Sequence, residues 1–519
     1  WVSVVTVIIF AAALRLHQLD SRSIWLDEGI SVWAARLPWD RLLPTLASHD
    51  ESPPLYFAIL HLWLIAGDGE RWIRLLSVTV SLAAVGLAYG VGAMLGGRNA
   101  GVLASIVMAV SRMQIYHAQE ARMYALVAAL SLGTTYAALQ TLRYRGWRWP
   151  VIMGICSAFL ASTHHTAALL PVGIFAGTAI FALTQRSWKL LRYVCFAGII
   201  ASVLWAPVAP VLLTQARLVS EHYWIPPVDH ESVQRVLLEA SVGLPPPARH
   251  IQVSDPLSVR SASDVIALLL ALPRLEPLSS ISRAIVRAEL QLVVSLLTAL
   301  LFALAAIRIR AGGGATLVIA GALIVPVAVI LAVSTARPLL LPRALVGSGT
   351  LSLVLLAVAC TAIPRPFRFI SIGILLLFQI LTLGQHWWYP TLEDWRGVAT
   401  YLAKESRSGD LVLIAGRWTQ LPLDYYLRRY QGVQLEKRGI PVDLSERGKP
   451  EPVISEADIP RMRSLVSGRD HIWLVLSHTF DTDPRGLTRQ TMEEEFGCYE
   501  VRSFHGIQLL HFERCRPAT

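Results

Sequence analysis

Apolar stretches of roughly 20 residues, each long enough to cross a bilayer, recur along almost the whole chain. They fall near 1–16, 73–95, 99–116, 119–139, 149–165, 166–185, 191–213, 289–307, 314–334, 344–363 and 367–387, about eleven spans in all. The 519 residues are 54% hydrophobic and 16% charged, against about 25% charged in soluble domains. A chain this long and this apolar does not close around one soluble core, so it is expected to be a polytopic α-helical membrane protein. The first run opens at Trp1, and no small-residue cleavage site follows it. It is expected to stay as a span rather than be removed as a signal.

Orientation follows from the loops. Arg98, then Arg143, Arg145 and Arg148, then Arg186, Lys189 and Arg192, then Arg308 and Arg310, then Arg365 and Arg368 fall on one side of the proposed spans. The positive-inside rule makes that side cytoplasmic. This placement also accounts for the net charge of +10. The basic residues sit between apolar runs and follow no docking motif, so no nucleic-acid partner is expected.

The opposite, extracytoplasmic side receives loop 17–72, the turns near 113–120 and 163–166, loop 214–288, turn 335–343 and the tail from 388. In the first loop, 38–47 suits an interfacial helix. A second starts after Pro53-Pro54 and runs through the aromatic-rich Leu55 to Trp63. Loop 214–288 is long enough to act as a flexible flap over a lipid, with Val265 to Leu272 able to touch the bilayer. The expected division is a transmembrane domain over 1–388 and an extracytoplasmic α/β domain over 389–519. In the latter, Asp410 to Ala415 and His471 to Ser477 suit core strands. Trp395–Lys404, Leu423–Tyr430 and Ile459–Val466 suit helices. The end of the chain suits a hairpin turning at His505-Gly506, which brings Cys498 near Cys515. In an oxidising compartment the two can pair; a one-residue slip in register would leave two free thiols. The other cysteines, Cys156, Cys195 and Cys360, lie in apolar runs and suit buried packing. No Cys spacing suits a metal.

Five polar constellations could carry chemistry on the extracytoplasmic side. Asp27-Glu28 follows the first span. A carboxylate there can serve as general base, and its neighbour can tune it or hold a metal or acceptor; an ordinary solvated loop is the alternative. Asp50 and Glu51 precede Pro-Pro and can bind an acceptor or a divalent cation, or simply cap the next helix. Gln119, Glu120, Arg122 and Tyr124 stand at a helix start, where an Arg fork suits a phosphate oxygen or a neighbouring carboxylate. His164 and His165 end a span and can ligate a metal or touch phosphate, or make ordinary hydrogen bonds. Arg337 and Arg343 flank a Pro-bounded apolar turn and suit either a lipid-phosphate clamp or snorkelling to headgroups. Spacing does not rank them.

Taken in order, Trp25-Leu26-Asp27-Glu28, Asp50-x-x-Pro53-Pro54-Leu55-Tyr56, Glu70-x-x-x-Arg74-Leu75 and Gln119-Glu120-Ala121-Arg122-Met123-Tyr124 resemble the bacterial GT-C membrane glycosyltransferases. The resemblance is to the protein O-mannosyltransferase-like group, related to the aminoarabinose transferases of lipid A. Pro342-Arg343 and Asp394-Trp395-Arg396 fit the same pattern, so the likeness covers nearly the whole chain. It implies a polyprenyl-phosphate sugar donor, an inverting transfer and an active site in the first extracytoplasmic loop. Asp27 falls at the catalytic base, Glu28 at its neighbour, and Arg122 and Arg343 near the donor phosphate. His164 matches a His in a Thr-His turn. Relatives often carry Asp-x-His-Pro-Pro where this chain has Ser52, so any acceptor or metal role of that His in relatives does not carry over to this position.

The expected activity is sugar transfer to a lipid, glycan or protein acceptor at the bacterial inner membrane, with no cofactor beyond a possible divalent cation. A lipid-linked oligosaccharide polymerase or ligase is the enzymatic alternative. A transporter or flippase fits less well, because the charges gather at one face and no repeat is visible.

Overall fold

The computed structural model describes residues 2–49, 52–144, 146–221, 228–243, 312–388, 392–444 and 453–515, with isolated positions between 298 and 309 and at 446. Asp50 and Glu51, the proposed spans' 289–307 for the most part, and most of loop 214–288 including Val265 to Leu272 lie outside the described residues.

Seven described helices are long and apolar enough to cross a membrane: Glu70–Gly96, Tyr124–Arg143, Thr166–Thr184, Trp188–Gln215, Ala315–Ser334, Pro342–Ala362 and Arg365–Leu383. Val2–Leu16, Arg98–Val110 and Arg148–Ala161 are shorter apolar helices that coincide with three further expected spans. Helix Glu70–Gly96, with 27 residues, rises about 40 Å, so Arg74 and Arg98 stand at opposite ends of the bundle. Helix Pro342–Ala362 is the central one: every residue from Val346 to Cys360 is buried. Cys360 is buried and Cys156 half-buried, but Cys195 is exposed, against expectation, on the outward apolar face of Trp188–Gln215. A helix in lipid can turn apolar side chains outward, so apolar character does not imply enclosure.

Small residues bring the helices together. A Cβ added at Gly173 would stand 2.0 Å from the carbonyl oxygen of Gly321, and one at Gly177 would stand 2.1 Å from that of Leu317. The helix pair Leu169–Thr184 and Ala315–Ser334 therefore packs backbone against backbone. Arg15 is an intramembrane cation and is fully buried. It donates to the carbonyls of Met108 and Ala109, both at 3.0 Å, at the C-terminal end of helix Arg98–Val110. Those carbonyls have no partner within their own helix, and the negative end of its dipole suits a cation.

Leu26–Ala35, Trp39–His49 and Leu55–Leu64 form three short helices in the first long loop. From Trp395 the chain builds a five-stranded sheet, β1 (Leu411–Ala415), β2 (Glu436–Ile440), β3 (His471–Leu476), β4 (Gly497–Phe504) and β5 (Ile507–Arg514), in the order β2-β1-β3-β5-β4. β1 is parallel to β2 and β3; β5 runs antiparallel to β3 and β4. Period-two alternation gives the sheet two apolar faces. Leu411, Leu413, Ile472, Leu474, Leu510 and Phe512 pack with Met462, Val466 and Met492 of the covering helices. Val412, Ile414, Trp473, Val475, Ile507 and Leu509 face the other way, into a core continuous with that of the helix bundle. Cys498 and Cys515 are joined across the hairpin, with Cα atoms 5.4 Å apart.

Candidate active site

Asp27 lies in the first turn of helix Leu26–Ala35, where a carboxylate complements the positive end of the helix dipole. Its Oδ2 stands 3.6 Å from Nη1 of Arg343 and 3.8 Å from Nη2 of Arg122. Both are ion-pair distances, too long for direct hydrogen bonds. The carboxylate is 19% exposed. Arg122 is held from behind: its Nη1 donates to Ser31 Oγ at 3.1 Å and to the Asp27 carbonyl at 3.3 Å. Arg343 sits on the short turn Pro342–Leu345 that opens the central helix, and its guanidinium also reaches the Tyr124 hydroxyl. One carboxylate therefore faces two arginines that come from separate parts of the chain. Arg337, six residues before Arg343, is exposed.

Glu28 points the other way, because successive helix residues are turned by about 100°. It is fully buried and takes a two-pronged bond from Arg74, Nε to Oε1 at 2.8 Å and Nη2 to Oε2 at 2.6 Å. Its Oε1 also accepts from the Ala121 amide at 2.8 Å. The remaining N–H groups of Arg74 bind the carbonyls of Leu19, Arg22 and Ser23. Glu28 thus ties three segments together, and its carboxylate is spent on Arg74 and the Ala121 amide rather than on Arg122 or Arg343.

Gln119 serves the same frame: its amide donates to the carbonyls of Arg15 and His17 at 2.9 and 2.8 Å. Glu120 is buried, 3.5 Å from Nδ1 of His117, and burial pushes its carboxyl above the usual range. Tyr124 stacks obliquely between His117, at 4.8 Å between ring centres, and His164, at 5.9 Å. His164 Nδ1 lies 3.0 Å from Thr166 Oγ1, which donates to the Ala344 carbonyl at 2.8 Å. Burial first, then the neighbouring His165 and the Arg343 and Arg122 guanidiniums, push the imidazole down to about 3. It is neutral at physiological pH and joins the Arg343 turn to the rest of the site. Among the described residues no three His, Cys, Asp or Glu side chains converge as metal ligands. Ser52, at the position where relatives carry His, is buried, and its carbonyl accepts from Gln215.

The C-terminal region adds groups that sequence spacing did not single out. Arg396 donates to the Asp20 carbonyl at 2.8 Å, Ser23 Oγ accepts from the Trp395 amide at 3.1 Å, and the Ile24 amide donates to the Tyr426 hydroxyl at 2.6 Å. The Glu393 carbonyl accepts from Ser23 Oγ, and its carboxylate lies beside the Leu26 amide and pairs with Nε2 of His478 at 3.2 Å. Residues 20–26, the segment leading into Asp27, are therefore bonded to residues 393–426 throughout. An Asp-Trp-Arg triplet at 394–396 was the nearest legible signal, since it marks where the tail begins.

Residues 51–212 match the family model for dolichyl-phosphate-mannose-protein mannosyltransferases. Among solved structures, ArnT from Cupriavidus metallidurans in the apo state is 14% identical, with a TM-score of 0.60 over 98% of this chain and 97% of that one. The same ArnT bound to undecaprenyl phosphate is 13% identical, with a TM-score of 0.57 over the same shares. The Archaeoglobus fulgidus oligosaccharyltransferase, in complex with Zn and sulfate, is 10% identical, with a TM-score of 0.52 over 96% of this chain and 72% of that one. No curated protein sequence matches the chain. The fold is the GT-C fold of membrane glycosyltransferases, and the enzyme class is glycosyltransferase. Within that fold the chain is similar to the mannosyltransferases over residues 51–212 and to ArnT over nearly its whole length.

Proposed function

We propose that the chain moves a sugar from a polyprenyl-phosphate carrier to an extracytoplasmic acceptor, with inversion, and that Asp27 is the general base. The observation that carries this reading is the single, partly exposed carboxylate facing two arginines, Arg122 and Arg343. Asp27 takes the proton from an acceptor hydroxyl or amine as that group attacks the anomeric carbon. The bond from that carbon to the phosphate oxygen breaks, and the phosphate leaves with an added negative charge. Arg122 and Arg343 are the groups that meet that charge, which makes strong acid catalysis unnecessary. A likeness in fold to an ArnT structure holding undecaprenyl phosphate supports a lipid-linked donor.

The arrangement of basic loops supports an inner-membrane protein whose site and C-terminal region face away from the cytosol. The test is transfer of radiolabel in isolated membranes, with polyprenyl-monophosphate and polyprenyl-diphosphate sugars supplied in parallel. Transfer from the monophosphate donor alone is the expected result. Transfer from the diphosphate donor alone would favour an oligosaccharide ligase instead.

A further inference from the structure

We propose that the C-terminal α/β region is a positioning clamp for the Asp27 base, closed by the pair Glu393 and His478. This rests on the reading of Asp27 as the base. Asp27 is flanked by two anchors. Behind it, Glu28 is locked to Arg74 of the helix bundle. Ahead of it, Ser23 Oγ donates to the Glu393 carbonyl, which sets the Glu393 carboxylate beside the Leu26 amide, from the opposite end of the chain. The Leu26 amide is among the first N–H groups of its helix, which have no carbonyl partner inside that helix. Glu393 thus works as a cap supplied by another part of the molecule, since Trp25 at the N-cap makes no side-chain capping bond.

Three further observations single out this contact. The Glu393 side chain is only 12% exposed, and a buried carboxylate needs a polar partner; the His478 imidazole is that partner, with Nε2 at 3.2 Å. His478 stands just beyond the carboxyl end of β3 with φ +54°, a left-handed conformation that costs a non-glycine residue on the order of 1 kcal/mol or more. The chain holds that conformation where the imidazole reaches Glu393. Gly506, with φ +70°, closes the other side: a Cβ there would stand 3.0 Å from Glu393 Cγ. The hairpin turn is thereby pressed onto the carboxylate's stem. Asp481 is the other carboxylate facing His478. Positioning at this level matters, because misplacing a reacting group by about 1 Å can cost on the order of 100-fold in rate.

The test compares Glu393→Ala with Glu393→Gln, whose amide oxygen can still accept from Leu26, and with His478→Ala. Transfer is followed with polyprenyl-phosphate mannose as the probe donor, binding with polyprenyl phosphate, and backbone order by hydrogen exchange over 20–29. In Glu393→Ala, kcat is expected to fall by about 10-fold or more, with donor KM and polyprenyl phosphate binding within about two-fold of the parent. Exchange over 20–29 rises while β1 and β3 stay protected. Glu393→Gln restores most of kcat and the protection, and His478→Ala falls between. Parental kcat and exchange in a folded Glu393→Ala protein would overturn the clamp, as would a Glu393→Gln protein as slow as Glu393→Ala with 20–29 still protected. If Glu393→Ala does not fold, Tyr426→Phe, which removes the partner of the Ile24 amide, is read in the same way. The exchange measurement does not depend on turnover. A parent protein inactive with every polyprenyl donor would sink the proposed reaction yet leave the clamp to be decided by exchange.

Discussion

Two neighbouring carboxylates, Asp27 and Glu28, do different work, and the difference is testable one atom at a time. Asp27→Asn removes a proton acceptor while keeping size and polarity, so transfer should drop by about 100- to 10,000-fold with thermal stability nearly unchanged. Retained turnover would remove Asp27 as the base. Glu28→Gln leaves the Arg74 guanidinium buried without a countercharge, which costs about 3–5 kcal/mol. That variant should lose stability, seen as a lower melting temperature in detergent, and transfer should fall with it as the anchor behind Asp27 loosens. Replacing Arg343 by Ala should weaken transfer by about 100-fold while largely sparing the melting temperature, because the Arg343 side chain is itself 35% exposed. His164 adds a pH dependence. Its folded-state value of about 3 lies below the usual 6.5, so the unfolded chain binds the extra proton first. Stability is therefore full above about pH 6.5 and lost as pH falls from there toward 3, by at most about 1.4 kcal/mol per unit. His164→Gln should flatten that portion of a stability-against-pH curve.

Helices and strands were largely legible because each has its own period. Ten of the expected spans have described helical counterparts, and the helix after Pro53-Pro54 runs over Leu55–Leu64. Helix Ile459–Val466 and strands β1 and β3 start and stop within a residue or two of the sequence reading, and β4 and β5 meet at the expected His505-Gly506 turn. β2 was not legible. Glu-Lys-Arg-Gly-Ile has no apolar alternation, and only pairing with β1 makes it a strand. Contacts between distant residues were also hidden. Nothing local in the chain links Glu28 to Arg74, or Glu393 to His478, though an Arg near the start of an apolar helix was a general warning of a buried partner. The roles of Asp27, Arg122 and Arg343 came from resemblance; the side chains are brought together by folding, and spacing did not predict that Glu28 and Gln119 would face the frame. At the same scale, Gly173→Val should separate helices Leu169–Thr184 and Ala315–Ser334. The branched side chain would meet the Gly321 backbone, so the yield of folded protein in detergent should fall sharply, while Gly198→Ala, which meets no neighbour, should not change it.

The whole molecule is one packed object rather than a bundle with a loosely attached tail. The sheet face bearing Val412, Ile414 and Trp473 shares its core with the helices. Arg396 and Arg429 pair with Glu70, while Arg36 and Arg428 converge on Asp68. The Cys498–Cys515 bond closes a loop of 17 residues, worth about 3 kcal/mol by chain entropy. Reduction should therefore lower the melting temperature of the C-terminal region, and Cys498→Ser with Cys515→Ser should reproduce the loss without reductant.

The long-range contact between Leu26 and Glu393 also sets an order of events during synthesis. The ribosome makes Asp27 early, and the chain that completes its surroundings only some 370 residues later, roughly 20–75 s at ordinary elongation speeds. On the proposed reading, a nascent chain is thus born with its base in hand but without the piece that aims it. Premature turnover on unfinished protein is discouraged by timing, with no separate inhibitor needed.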